Sequence, residues 1–423
     1  MKVSIFSEID PLQSVLVHCP GNEQFYVYPD NLIEWIPGDN ELVHNPDYLL
    51  FDDLIQPQIA MKEHEQLSQV IKHFIGNDNC IEFTTLLLDI LHDKDLKKEL
   101  LKDCLELENS IHKTEYLASS LLDLLSMDAS DILHILLTGE KNDGNGGKIF
   151  QHPIPNLIFT RDIAAVIGQT VLITWGCKIA RKRENILSKY IFNYHNIFQD
   201  IKTYDFHENF PNLSVEGGDI IILDESTICI GMSERTTPAT INALLPLFFE
   251  EGFKHIYAID LPKKRSIMHL DTIFNRISLD EVIIFSPILD QLNVYCISPG
   301  EKLEEGMKTT QNFLEILAND GIQLTPIICG GKEKNHQIRE QWTDGANYFA
   351  ISPGIILGYE RNHHTIKSLQ HAGYKCIEST EFLKRPEIYK NKSKLMISIP
   401  SGELSRGRGG ARCLTLPLRR SNN

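Results

Sequence analysis

The chain has 423 residues, 42% of them hydrophobic and 23% charged, with 26 glycines and 19 prolines. That balance is globular and excludes collagen-like and disordered classes. The length fits about two to three domains, or one large α/β domain with an insertion. With 41 basic against 57 acidic residues, a net charge of −16, the chain lacks the basic footprint of a nucleic-acid binder, and an anionic membrane surface would repel it.

From the N-terminus, Met1 to Glu8 becomes charged too soon for a signal peptide. No apolar run is long enough for a transmembrane helix. Between Gly76 and Gly139 there is neither Gly nor Pro, and Leu, Lys, Glu and Asp dominate. Leu96, Leu100, Leu101, Cys104, Leu105 and Glu108 recur at three- and four-residue steps, which predicts one helical stripe. Asp128 and Asp131 before an apolar run read as a helix start. Residues 78–147 are therefore expected to form a helical insertion domain, with Lys141–Gly147 as a flexible exit. Residues 1–77 and 148–423 form the remaining α/β domain.

Beyond residue 150 the texture changes to short β-branched runs bounded by Gly, Pro, Asp and Asn. Examples are Val166-Ile167, Val171–Thr174, Ile220–Leu223, Thr227–Ile230, Val282–Phe285 and Ile355–Leu357. Helices are predicted over 238–251 and 304–319. A ββα pattern repeated in small modules fits better than one doubly wound sheet.

The chemistry-bearing strings lie among these elements. Asn156-Leu157-Ile158-Phe159-Thr160-Arg161-Asp162 is an apolar run ending in adjacent opposite charges, a pair expected to lie exposed at a strand end. Arg181 and Arg235, taken singly, read as surface charges. Glu216-Gly217-Gly218-Asp219 presents two acids without crowding between them. Met268-His269-Leu270-Asp271, read as a strand, would place imidazole and carboxylate on one face, suited to acid–base work or to a cation; a metal is a rival reading, although nothing nearby completes a ligand set. Gly330-Gly331-Lys332 lacks the spacing of a phosphate loop, and no G-x-G-x-x-G opens a helix. His363-His364 is expected in a loop. Near the C-terminus, Ser405-Arg406-Gly407-Arg408-Gly409-Gly410-Ala411-Arg412-Cys413 combines a pliant backbone with a thiol flanked by a cation, which favours thiolate. The nine cysteines are scattered, without a Cys-x-x-Cys, and point to a reducing, cytoplasmic compartment.

Together these strings, with Leu49-Leu50-Phe51-Asp52-Asp53, Gly231–Arg235, Arg339–Trp342 and Asp344-Gly345, resemble the arginine deiminases within the guanidino-group-modifying superfamily. The resemblance runs almost the whole length. It implies a five-bladed α/β propeller of ββαβ modules with an inserted helical domain, no metal or organic cofactor, L-arginine as substrate, and a homo-oligomer. It implies Cys413 as nucleophile, His269 as acid and base, and Asp162, Glu216 and Asp271 as catalytic carboxylates. Asn156, Phe159, Arg181, Arg235 and Arg408 become substrate-binding residues. Two departures stand out: Ile163, where Pro or a small polar residue is common, and Arg412, where several members carry His. Alternatives on the same scaffold are an amidinotransferase or other guanidino hydrolase, or a non-catalytic arginine-binding protein.

Overall fold

A computed structural model describes residues 1–39, 41–112, 117–142, 147–289, 291–309, 312–389 and 392–421. Its sheets share one local plan. A hairpin of two buried strands is followed by a helix, and a third strand returns parallel to the hairpin. Parallel neighbours need such a crossover, whereas antiparallel ones need only a turn. Ala164–Ile167 pairs antiparallel with Thr170–Ile173, which pairs parallel with Lys202–Asp205 across helix Ile179–Tyr194. Ile220–Asp224 pairs antiparallel with Thr227–Met232, which pairs parallel with His255–Asp260 across helix Pro238–Glu250. Asn293–Ile297 and Met307–Thr309 extend that sheet. Phe274–Arg276, Glu281–Ile284 and Thr325–Ile328 form the next sheet. Phe349–Ser352, Ile355–Tyr359, Leu395–Ile399 and Lys375–Glu378 form another. The last is built from both chain ends: Leu12–Val17 runs antiparallel to Leu416–Arg420 and parallel to Cys80–Glu82. A small hairpin, Trp35–Pro37 with Leu42–His44, stands apart.

The central strands are buried on both faces, which is why they read as continuous β-branched runs rather than alternating ones. Helices Phe83–His92, Lys94–His112, Leu117–Leu125 and Ala129–Thr138 occupy the Gly- and Pro-free window. Their apolar residues, including Leu87, Leu100, Leu101 and Ile132, join one core with Leu187, Ile191 and the 164–173 hairpin. Asp143 to Gly146 of the expected flexible exit lie outside the described residues.

Two predicted elements differ. The helix over 304–319 is instead strand Met307–Thr309 followed by helix Phe313–Asn319. Gly306 interrupts the pattern, and the Asn312 side chain accepts from Leu314 N–H at 2.9 Å, starting the helix there. His363-His364 opens helix His363–His371 rather than lying in a loop. No helix among the described residues is long and apolar enough to cross a membrane.

Candidate active site

The turn just before the first strand of each module faces a common point. These turns hold Thr160–Asp162, Gly217–Asp219 with Glu216 before it, Leu270–Thr272 with His269 before it, Asp344–Asn347, and Gly410–Cys413. The cavity between them is lined by Asn156, Phe159, Asp162, Arg181, Glu216, Arg235, His269, Arg408 and Cys413. Asp271 stands behind it, its Oδ2 3.7 Å from Cys413 Sγ. All ten sequence-predicted site residues therefore converge. The free volume is about 20 Å³, room for one water, so a larger ligand enters only when lining side chains move. A larger cleft of about 700 Å³, near Lys2, Lys202 and Arg419, holds none of these residues.

The local folding explains the residue types. A Cβ on Gly217 would lie 2.1 Å from the Arg161 carbonyl oxygen, and one on Gly218 would lie 2.5 Å from His269 Nδ1. Both glycines are thus demanded by the close approach of two turns. Gly218 N–H donates to Asp162 Oδ1 at 3.0 Å. Behind them Asp219 accepts from Ser233, Thr236 and the Leu270 N–H, tying the Glu216 turn to the His269 turn.

His269 is not on a strand, as expected, but immediately before the turn Leu270–Thr272. The turn sends the imidazole towards Glu216 while Asp271 faces Cys413, so the two do not share one face. His269 Nε2 meets Glu216 Oε2 at 2.8 Å, and Nδ1 lies 3.9 Å from Asp162 Oδ1. Burial favours neutral imidazole, but Asp162 and the Glu216 bond outweigh it and lift the His269 pKa to about 9. The oxygen and nitrogen donors of Asp162, Glu216 and His269 lie within 4.8 Å of one another, a set of metal-ligand type, whereas His269 and Asp271 form none.

The arginines are not surface charges. Arg181 donates to Asp162 at 2.7 Å, to Glu184 at 2.8 Å, and to the Asn156 and Phe159 carbonyls. Arg235 Nη1 bridges both oxygens of Glu216 at 3.0 Å. Arg161 and Asp162 are likewise buried rather than exposed at a strand end. Low-dielectric surroundings make such pairs mutually necessary: each guanidinium offsets a carboxylate that could not stay charged there alone. Arg408 differs. Its guanidinium is buried, stacked 3.6 Å from the Trp342 ring centre, and none of its nitrogens has a hydrogen-bond partner.

Arg412 also departs from expectation. It does not promote the thiolate, because its charge is spent on Glu8 and Asp271: Nε and Nη2 donate to Glu8 at 3.1 and 2.8 Å, and Nη1 to Asp271 at 2.8 Å. Burial, with Asp271, Asp162 and Asp344 near by, instead raises the Cys413 pKa well above that of a free thiol. The sequence reading missed Arg265, Met268 and Asp344, which line the cavity, and Glu8 and Asn347 behind it. Met268 and Asp344 stood in the quoted strings Met268–Asp271 and Asp344-Gly345, but neither was given a role.

The comparisons with known proteins bear on family and fold. The family model for arginine deiminase matches residues 47–420. An arginine deiminase of Listeria monocytogenes is 31% identical, covering 99% of this chain and 98% of that protein. One of Mycoplasma capricolum is 31% identical over 100% and 98%, and one of Bacillus cytotoxicus 32% over 99% and 99%. Among solved structures, an amidinotransferase from Microseira wollei (SxtG) aligns over 100% of this chain and 98% of its own, with a TM-score of 0.51 and 13% identity, a likeness of fold. A mixed α/β chain with these turns, matched over this span, belongs to the arginine deiminase family.

Proposed function

We propose that the protein hydrolyses L-arginine to L-citrulline and ammonia through a covalent thiouronium on Cys413, without metal or organic cofactor. One observation carries the reading: the Cys413 thiol, the Asp271 and Asp162 carboxylates and the Glu216-bonded His269 converge on one buried cavity.

A guanidinium is planar and delocalised, and carboxylates grip it by paired hydrogen bonds. Asp162 and Asp271 hold it, and the resident pairs with Arg181 and Arg412 loosen or exchange as it arrives. The raised thiol pKa means that the free enzyme holds a neutral thiol, so the arriving cation itself promotes loss of the proton to solvent. The thiolate attacks the central carbon, giving a neutral tetrahedral adduct. Protonated His269 donates to the departing nitrogen, ammonia leaves, and the cationic S-alkylthiouronium remains. Neutral His269 then takes a proton from water, which attacks the same carbon. The C–S bond breaks as the adduct's hydroxyl proton passes to the departing sulfur, releasing the ureido product and the Cys413 thiol. Glu216 keeps His269 oriented and charged for the first half. Arg408, with its unpartnered donors, and Arg235 take the α-carboxylate of arginine, while Asn156, Phe159 and Arg181 shape the wall.

The module plan supports a five-bladed propeller around this cavity, with the helices from Phe83 to Thr138 as the inserted unit and Cys80–Glu82 kept in the first blade. The scattered free thiols fit a cytoplasmic location, and the family resemblance a homo-oligomer. Purified protein incubated with L-arginine should release citrulline and ammonia in equal amounts. Cys413→Ser should lose activity by roughly 10⁴-fold or more. Arginine lacking its α-carboxylate should show a raised KM. Arginine bound by wild type without turnover would make the protein a binder and sink the reading.

A further inference from the structure

Of the turns that face the cavity, four supply residues to the reaction proposed above. The turn Asp344–Asn347, before strand Phe349–Ser352, has no such part. Yet it binds the Cys413 backbone directly. Asn347 is 1% exposed. Its Oδ1 accepts from the Arg412 N–H at 3.1 Å and from the Cys413 N–H at 3.1 Å. Its Nδ2 donates to the Asp271 carbonyl at 3.3 Å. The amide orientation is set by chemistry, because only an oxygen can accept two N–H groups. The turn itself is closed by the Asn347 N–H on the Asp344 carbonyl at 3.0 Å.

We propose that Asn347 is a positioning residue whose carboxamide holds the Cys413 backbone and the Asp271 turn together, and so sets the distance between the attacking sulfur and the carboxylate that grips the guanidinium. The inference rests on the arginine-hydrolase reading.

Two further observations carry it. The Cys413 loop contains Gly407, Gly409 and Gly410 and has little backbone stiffness of its own, so an external clamp must fix the thiol. A Cβ on Gly410 would lie 2.6 Å from the Asn347 carbonyl oxygen, 2.7 Å from its Cβ and 2.8 Å from Oδ1. Glycine at 410 is thus what lets the loop sit on the carboxamide. The charge balance of the reaction agrees. In acyl transfer the N–H of the nucleophile commonly stabilises an oxyanion. A thiolate adding to a guanidinium gives a neutral adduct with no oxyanion. The Cys413 N–H is therefore free to serve as an anchor, and Asn347 occupies it.

Asn347 does not touch the cavity, so its loss should act on the chemical step. The test is steady-state kinetics with L-arginine at matched protein concentration, with far-UV dichroism as the folding control, on wild type, Asn347→Ala and Gly410→Ala. Asn347→Ala should lower kcat by roughly 10²-fold, with KM within about threefold of wild type, as for misplacement of a reacting group by about 1 Å. Gly410→Ala keeps the carboxamide but pushes the loop off it, and should give the same split. If Asn347→Ala does not fold, Gly410→Ala decides by the same criterion. An active wild type whose folded variants keep kcat within about threefold, or show a raised KM with unchanged kcat, overturns this inference alone. A wild type that does not turn arginine over overturns the parent reading and this one with it.

Discussion

His269 carries two opposed influences, and their balance has a measurable sign. Burial would keep the imidazole neutral, but Asp162 and Glu216 lift its pKa from 6.5 to about 9. A folded pKa above the unfolded one adds stability that is fully present below pH 6.5 and is lost as pH rises through about 9. The shift corresponds to about 3 kcal/mol at most. His269→Asn should therefore lose stability relative to wild type at pH 6, and the gap should close by pH 9.5. Urea midpoints at the two pH values measure this, and a gap independent of pH would show that His269 is not held protonated. Residue types were legible here: thiol, imidazole and carboxylates were nominated from strings alone. Their charge states were not. Arg412 looked like an activator of its neighbour, whereas its guanidinium reaches Glu8, and the thiol is left among carboxylates. Adjacency in sequence does not fix where a long side chain spends its charge.

At the level of elements, the active turns are short and their glycines are steric requirements. Gly218 backs directly on the His269 ring. Gly218→Ala should displace the imidazole from Glu216 and reduce kcat/KM by roughly 10²-fold, since even small misplacements of catalytic groups are costly. Citrulline release with far-UV dichroism as the folding control would check it, and near-wild-type activity would mean that the ring can shift without penalty. The string Glu216-Gly217-Gly218-Asp219 reads from sequence as a loop that presents two acids without crowding, and only the structure shows the close approach that demands its glycines. The His269–Asp271 turn was misread as a strand. Two residues two apart share a face on a strand, but a tight turn after His269 rotates the next side chains away. The helix expected over 304–319 failed for a similar reason: its composition fits a helix, but Gly306 and the Asn312 cap divide it.

Across the whole molecule, the site depends on contacts between the chain's two ends. Strand Leu12–Val17 pairs with Leu416–Arg420, and Glu8 binds Arg412 with both oxygens. Burial alone would raise the Glu8 pKa, but Arg412 and Arg161 overcome it and hold it at about 2, from 4.5. A depressed carboxyl adds stability that is present above pH 4.5 and is lost as pH falls through about 2. Glu8→Gln should cost about 3 kcal/mol at pH 7, because it leaves Arg412 buried with only Asp271 as counter-charge. The cost should shrink by pH 3. Calorimetric Tm values at the two pH values test it, and an unchanged Tm at pH 7 would show the pair to be dispensable.

The sequence by itself offered a thiol, an imidazole and several carboxylates in short strings, the modular α/β texture and, through the resemblance of those strings, the family. These are properties of residue type and local spacing, which survive without coordinates. Only the tertiary structure decided which arginine neutralises which carboxylate, that Arg408 alone among the cavity arginines donates no hydrogen bond, and that Asn347 bonds the backbones of both Cys413 and Asp271. Apart from Arg181–Glu184, those pairings join residues 19 to 404 positions apart in the chain, and charge and hydrogen bonding in a buried site depend on distance in space, which no local pattern encodes.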